Sequence, residues 1–126
     1  MRILVCEDEQ PIRRLIEITL QARGHTVDLT EGVMQGREQF DLSLENGEPY
    51  DLIITDVLMP GPSGFSLAGY VRGRGYQGRL AMLTGSPPEY ANMATVGAEY
   101  WPKVEAMGNL VNRVESAREA VTGEQV

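Results

Sequence analysis

Short apolar runs of strand length recur along the chain. Each run is rich in aliphatic or β-branched residues and is bounded by polar or turn-forming residues, which is typical of parallel strands buried on both faces. The runs are Arg2 to Cys6, Thr26 to Thr30, Leu52 to Thr55, Arg79 to Leu83 and Ala98 to Trp101. Leu52 to Thr55 is the clearest, because its uninterrupted apolar pattern suits a central strand.

The segments between these runs have the spacing of amphipathic helices. In the first, apolar residues recur at helical intervals from Ile12 to Leu20, with Pro11 in the first turn and Gly24 as a stop. The others are predicted over Val33 to Leu44, Gly64 to Arg74, Pro87 to Ala94, and a last helix with Leu110, Val111, Val114, Ala117 and Val121 on its apolar face. Five strand-helix units with short connections predict an α/β domain, a (βα)5 doubly wound parallel five-stranded sheet.

The composition indicates one domain. The chain has 126 residues, of which 42% are hydrophobic, and this suffices for one core but not for two ordinary ones. We expect residues 1–121 to form the domain and residues 122–126 to be a frayed tail or the start of a linker. No run reaches the roughly 18 apolar residues of a membrane span, and there is no cleavable signal pattern. Cys6 is the only cysteine, which fits a reducing cytoplasm.

The charge pattern limits the kinds of partner that we expect this chain to bind. A net charge of -7 disfavours direct nucleic-acid binding, so a protein or a cation is the expected partner. Among the 11 basic residues, Lys103 is the only lysine. This indicates either a position that needs a compact ammonium group or chance in a chain with few basic residues.

Chemically active side chains follow the strands at their carboxyl ends. Glu7 and Asp8 follow the first strand, Asp56 the third and Thr84 the fourth, and Lys103 lies just beyond the fifth. Ligands bind at this edge of an open parallel sheet. Neighbouring carboxylates repel each other unless they share a proton or a cation. The pattern therefore predicts a site for a hard divalent cation, most naturally Mg²⁺.

Four segments taken together resemble the receiver domain of two-component response regulators. They are Ile3 to Glu9, Asp51 to Gly61, Met82 to Gly85 and Gly97 to Lys103, and they extend over nearly the whole chain. The resemblance implies a CheY-like fold of the flavodoxin type, with strand order 2-1-3-4-5. It also implies a phosphoacceptor signalling domain that assists its own phosphorylation and dephosphorylation, and not an enzyme.

The resemblance implies a phosphoacceptor and a set of metal ligands. Asp56 is expected to take a phosphoryl group from a sensor histidine kinase, a phosphotransfer protein or a small phosphodonor. Mg²⁺ is expected to be bound by Asp8, by Asp56, by the backbone carbonyl of Leu58 and, through water, by Glu7.

The resemblance also implies a switch. Lys103 and the hydroxyl of Thr84 are expected to contact the phosphoryl oxygens, and Thr84 with Tyr100 is expected to form the switch. The output would be read by a downstream effector, by an appended output domain or through a homodimer. We expect neither direct nucleic-acid binding by this domain nor a membrane partner.

Two features depart from the family pattern. Val104 follows Lys103, where receivers commonly have proline, and Pro102 precedes it. The interval from Thr84 to Lys103 is about one helical turn short and opens on two prolines, so we expect a short or irregular fourth helix. The prediction is that phosphoacceptor chemistry is retained on a domain with a specialised output surface.

Three other functions share parts of this pattern. A flavodoxin-like FMN carrier would need a hydroxyl- and glycine-rich loop where Glu7 to Glu9 stands. A common Mg²⁺-dependent phosphohydrolase would need a second carboxylate at the position of Leu58. A degenerate receiver acting as a phosphorylation-independent interaction module is the main alternative, kept open by the residues around Lys103.

Several residues have a structural interpretation. We expect Glu9 to serve the start of the first helix, because acidic residues are favourable at the positive end of a helix dipole. His25 follows Gly24 in a turn and is expected on the surface. Cys6 belongs to a buried strand and is expected to be an inert thiol.

Overall fold

Strands and helices alternate throughout the computed structural model, which describes residues 1–85 and 90–115. The strands are β1 (Arg2–Cys6), β2 (Thr26–Thr30), β3 (Leu52–Asp56), β4 (Arg79–Thr84) and β5 (Ala98–Pro102). The helices are α1 (Gln10–Gln21), α2 (Val33–Glu45), α3 (Gly64–Gly73), α4 (Tyr90–Val96) and α5 (Lys103–Gly108). The predicted alternation of five strands and five helices is confirmed.

The strands form one parallel sheet in the order β2-β1-β3-β4-β5. Cys6 lies beside Thr55, and Asp56 lies beside Leu83. The carboxyl ends of β1, β3 and β4 therefore meet at one edge. The strand order that the resemblance implies is confirmed, and its reversal point lies between β1 and β3, where ligands bind in such sheets.

Helices cover both faces of this sheet. On one face, α2, α3 and α4 contribute Phe40, Leu67 and Met93 to a buried cluster. On the other face, α1 and α5 contribute Ile16 and Ala106 to a second buried cluster. The two clusters use alternate residues of the same strands, as a sheet covered on both faces requires. The doubly wound arrangement is thus confirmed.

The last helical region contains a break that was not predicted. Helix α5 begins at Lys103 and ends at Gly108, because Asn109 leaves the helical region with φ -143°. Residues 110–115 are helical again, and Leu110 and Val114 are buried as predicted. Ala117, Val121 and the predicted tail lie outside the described residues.

The other described helices have between 7 and 13 residues. In the described residues, α4 extends from Tyr90 to Val96, and residues 86–89, which include the predicted entry to this helix, lie outside them. The longest, α2, has 13 residues. Within residues 1–85 and 90–115, no helix combines the length and apolar character needed to cross a bilayer.

Candidate functional site

Three carboxylates meet at the carboxyl edge of the sheet. Glu7 and Asp8 follow β1, and Asp56 ends β3. Ligand oxygens of these three residues all lie within 4.8 Å of one another. Glu7 is fully buried and Asp56 is nearly so. The predicted acidic cluster is therefore assembled by the neighbouring strands β1 and β3.

The backbone of the acidic pair is held in place from α1. Arg13 donates hydrogen bonds to the carbonyl oxygens of Glu7 and Asp8, at 2.9 and 3.3 Å. The same guanidinium pairs with Glu31 at 3.2 Å, and the backbone N–H of Glu7 donates to the carbonyl of Thr30. Three of these contacts hold the backbone of Glu7 and Asp8 in place, and the fourth holds Arg13.

The chain after Asp56 passes close to the strand it has just left. Gly64, the first residue of α3, donates its backbone N–H to the carbonyl oxygen of Val57 at 2.9 Å. A Cβ at Gly64 would collide with the backbone carbonyl oxygen of Asp56. Only glycine allows α3 to begin this near to the site.

Lys103 reaches back from the start of α5 into the acidic cluster. Its Nζ donates to Asp56 Oδ2 at 2.8 Å, to Glu9 Oε1 at 3.1 Å and to Glu7 Oε1 at 3.2 Å. The lysine side chain is only 16% exposed. The lone lysine of the chain therefore lies in contact with the predicted phosphoacceptor.

Burial and charge shift the proton affinities in this cluster. Burial, followed by the adjoining Asp56 carboxylate, raises the pKa of Glu7 to about 7. Burial by itself would lower the pKa of the Lys103 ammonium, but its hydrogen bonds to Asp56 and Glu9 and the charge of Glu7 raise the pKa above the ordinary lysine value. The contacts with the carboxylates therefore favour the charged form of the lysine.

An open cavity of about 220 Å³ adjoins the cluster. Its lining residues are Glu9, Asp56, Leu58, Thr84, Gly85 and Lys103. Thr84 is the last residue of β4 and is buried, whereas Leu58 is 70% exposed. The predicted phosphoacceptor, hydroxyl and ammonium thus share one cavity that is open to solvent.

The aromatic residues of β5 face opposite sides of the sheet. Tyr100 pairs in register with Met82 and packs, partly buried, against the cluster under α2, α3 and α4. Trp101 is buried in the cluster under α1 and donates its indole N–H to Glu99 at 3.2 Å. Because side chains alternate along strands, Thr84 and Tyr100 lie on the same face.

One local expectation is confirmed only in part, and another is wrong. Glu9 occupies the N-cap position of α1 but makes no side-chain capping bond, and its carboxylate binds Lys103 instead. The His25 side chain is only 7% exposed and contacts Glu115 at 3.2 Å. In contrast, Cys6 is buried, and burial raises the pKa of its thiol to about 11, as expected for an inert cysteine.

Comparison with known families agrees with this geometry. The model of the response regulator receiver domain family matches residues 3–115. The chain belongs to this family. It is a receiver domain of the kind found in two-component response regulators, and the family that the four segments indicated is confirmed.

Similar proteins include longer regulators. The transcriptional regulatory protein RprY of Bacteroides fragilis is 32% identical over 128 residues, which cover 99% of this chain and 52% of RprY. The transcriptional regulatory protein YkoG of Bacillus subtilis is 30% identical over 118 residues, covering 91% of this chain and 50% of YkoG. The receiver domain thus spans about half the length of these relatives.

A solved structure agrees over most of its length. The response regulator protein TrrA from Thermotoga maritima, in complex with Mg²⁺ and BeF, is 31% identical, with a TM-score of 0.71 over 91% of this chain and 96% of that chain. TrrA has also been solved in complex with the histidine kinase ThkA, where the identity is 32% and the TM-score 0.73 over the same shares.

Proposed function

We propose that this receiver domain accepts a phosphoryl group on Asp56 and thereby switches a protein-interaction surface. The observation that supports this most strongly is the setting of the Asp56 carboxylate. It is nearly buried, bound by Lys103 at 2.8 Å, and still lines a cavity open to solvent. A rigidly held carboxylate that a donor can reach, next to a fixed positive charge, meets the main demands of phosphoryl transfer.

In the proposed transfer, an oxygen of Asp56 forms a bond to phosphorus while the bond from phosphorus to the donor breaks. With phosphohistidine as donor, the imidazole leaves and takes up a proton from water, and with acetyl phosphate, acetate leaves. Lys103 balances the charge of the transferred oxygens, and the Thr84 hydroxyl binds one of them. Later attack of water on phosphorus restores the carboxylate and releases inorganic phosphate.

The acidic cluster fits Mg²⁺. Besides the grouping of three carboxylates, Glu7 Oε2 is buried without a hydrogen-bond partner among the described residues. A buried oxygen in this state costs free energy that a cation or its water would recover. Asp8, Asp56 and the Leu58 carbonyl would hold the ion, with Glu7 bound through water. When bound, Mg²⁺ supplies positive charge that balances the phosphoryl oxygens.

The proposed switch links the cavity to β5. A phosphoryl group on Asp56 adds about two negative charges and strong acceptor oxygens beside Thr84. A shift of the Thr84 hydroxyl towards these oxygens would change the packing space on the face that it shares with Tyr100. The tyrosine is only partly buried there. A local change in charge would thus reach the surface next to α4 and β5.

The proposed donor is a sensor histidine kinase or a phosphotransfer protein in the cytoplasm. The complex of TrrA with the histidine kinase ThkA supports this class of donor. The extra length of the relatives named transcriptional regulatory proteins supports an appended output domain or a separate effector as the reader. A homodimer is a further route for the output. As a phosphoacceptor signalling domain, the chain assists its own phosphorylation and dephosphorylation.

The proposal is tested by intact mass after incubation with acetyl phosphate and Mg²⁺. We expect one phosphoryl adduct on the wild-type protein and none on Asp56→Asn or in the presence of EDTA. Asp51→Asn is a matched control on the amino side of the same strand, and it should keep the adduct. A wild-type protein without an adduct, under conditions that modify another receiver, would favour a phosphorylation-independent interaction module.

A further inference from the structure

The Lys103 ammonium is fully engaged by three acceptors. An ammonium group has three N–H donors, and Nζ contacts one oxygen each of Glu7, Glu9 and Asp56. If a phosphoryl group on Asp56 is to receive a hydrogen bond from Lys103, one of these contacts has to be given up. Phosphorylation converts the Asp56 carboxylate itself, so Glu7 and Glu9 are the carboxylates that still compete for Lys103, and Glu9 can be released at the lower cost.

Glu9 differs from the other two acceptors in exposure and in position. The Glu9 side chain is 59% exposed, whereas those of Glu7 and Asp56 are 0% and 6% exposed. The described grouping of carboxylates that fits a metal contains Glu7 and Asp56 but not Glu9. A released Glu9 carboxylate would be hydrated by solvent, while a released Glu7 would leave a buried charge without its partner.

Glu9 also lies where an anionic donor has to enter. Its side chain lines the same cavity as Asp56, Thr84 and Lys103. Its carboxylate is not used to cap α1, because no side-chain capping bond is present there. A negative group at the rim repels an incoming phosphate and occupies a hydrogen bond that this phosphate needs.

We propose that Glu9 is a positioning residue that restrains phosphoryl transfer by holding Lys103 and by placing a negative charge at the cavity rim. This inference rests on the proposed function of Asp56. During transfer, one N–H of Lys103 moves from Glu9 to an oxygen of the phosphoryl group, and the Glu9 carboxylate turns to water. Removing the Glu9 charge removes both the competitor for Lys103 and the repulsion of the donor.

The test compares initial rates of phosphorylation by acetyl phosphate at saturating Mg²⁺. Glu9→Gln should react about three to ten times faster than wild type at low salt, and the gain should shrink at high salt because exposed charges are screened. Glu9→Asp, which keeps the charge, should lie closer to wild type. Glu105→Gln removes an exposed carboxylate of α5 that is outside the cavity lining, and it should leave the rate unchanged.

A rate of Glu9→Gln equal to or below that of wild type would overturn the inference, and so would an equal gain in Glu105→Gln. If the wild-type protein forms no adduct at all, the proposed function fails first. The role of Glu9 is then tested by the binding of beryllium fluoride in the presence of Mg²⁺, measured by Trp101 fluorescence. This binding does not require the covalent transfer of a phosphoryl group. Tighter binding to Glu9→Gln than to wild type supports the restraint, and unchanged or weaker binding contradicts it.

Discussion

Lys103 Nζ lies 2.8 Å from Asp56 Oδ2, although 47 residues separate the two along the chain. The contact exists because β5 and β3 end at the same edge of the sheet, with β4 between them. It joins the only lysine of the chain to the carboxylate that ends the central strand. Phosphorylation, Mg²⁺ binding and the packing of α3 all depend on this corner of the fold.

Replacing Lys103 by arginine should lower the rate of phosphorylation by at least about tenfold, although the charge is kept. The ammonium is a compact donor to three separate oxygens, and a planar guanidinium fork needs more room and a different geometry. The measurement is the initial rate of adduct formation with acetyl phosphate. Arg14→Lys, the opposite exchange on the exposed face of α1, is the control and should leave that rate unchanged. A wild-type rate in Lys103→Arg would contradict the role given to Lys103.

Mg²⁺ should bind to the wild-type protein and stabilise its fold. At a concentration of about 100 times the dissociation constant, binding to the native state alone adds about 2.7 kcal/mol to the free energy of unfolding. Asp8→Asn should weaken binding by at least about tenfold, because a carboxylate ligand is lost. Calorimetric titration and urea unfolding with and without Mg²⁺ measure both effects. Glu17→Gln is the control, because its side chain pairs with Arg14 on α1 and does not belong to the acidic cluster. It should bind Mg²⁺ as wild type does, and equal Mg²⁺ affinity in Asp8→Asn would exclude Asp8 as a ligand.

Gly64→Ala should destabilise the fold by about 1–3 kcal/mol, because the added Cβ meets the carbonyl oxygen of Asp56 and the backbone has to shift. Gly69→Ala lies in the same helix, and its Cβ would have no atom within 4 Å. This control should be neutral or more stable by up to about 1 kcal/mol, since alanine is the better helix former. Urea unfolding separates the two variants, and equal stabilities would rule out the close approach of α3 to the site.

Glu115, at the far end of the fold, should make the free energy of unfolding depend on pH in the acidic range. Hydrogen bonds from Arg23 and then from His25 lower the pKa of the Glu115 carboxyl from 4.5 to about 2. Because this pKa is lower in the fold than in the unfolded chain, the ionised carboxylate stabilises the fold above about pH 4.5, and this contribution is lost as the pH falls towards 2. Glu115→Gln should therefore lose less free energy of unfolding than wild type between about pH 5 and about pH 3.

This acid effect is measured by urea unfolding at a series of pH values. Glu105→Gln is the control, because its carboxylate is 73% exposed and lies 3.8 Å from Arg113. Its loss of stability with falling pH should follow that of wild type. Parallel curves for Glu115→Gln and wild type would mean that the contacts of Glu115 to Arg23 and His25 do not form in solution.

The strands and the outline of the site could be predicted from the sequence because both follow from local patterns. The bounds of β2 agree with the prediction at both ends, and β3 and β4 each extend one residue further, to Asp56 and Thr84. Once five parallel strands are recognised, strand ends have to meet at one edge. Asp56 and Lys103 could therefore be placed together before any contact was known.

The errors concern contacts between residues far apart in the chain. The partner of Glu9 is 94 residues away and that of His25 is 90 residues away. A local sequence pattern assigns an acidic residue before a helix to capping and a histidine in a turn to the surface. It contains no information about partners that are distant in the sequence.

The most direct test of the account is to locate the phosphoryl group within the chain. The protein is incubated with acetyl phosphate and Mg²⁺, and the acyl phosphate is reduced with borohydride, which converts the modified aspartate to homoserine. Peptide sequencing by mass spectrometry then identifies the position. The account predicts homoserine at Asp56 and at no other carboxylate. Homoserine at Asp8, or an unmodified Asp56 in protein that carries the adduct, would contradict it.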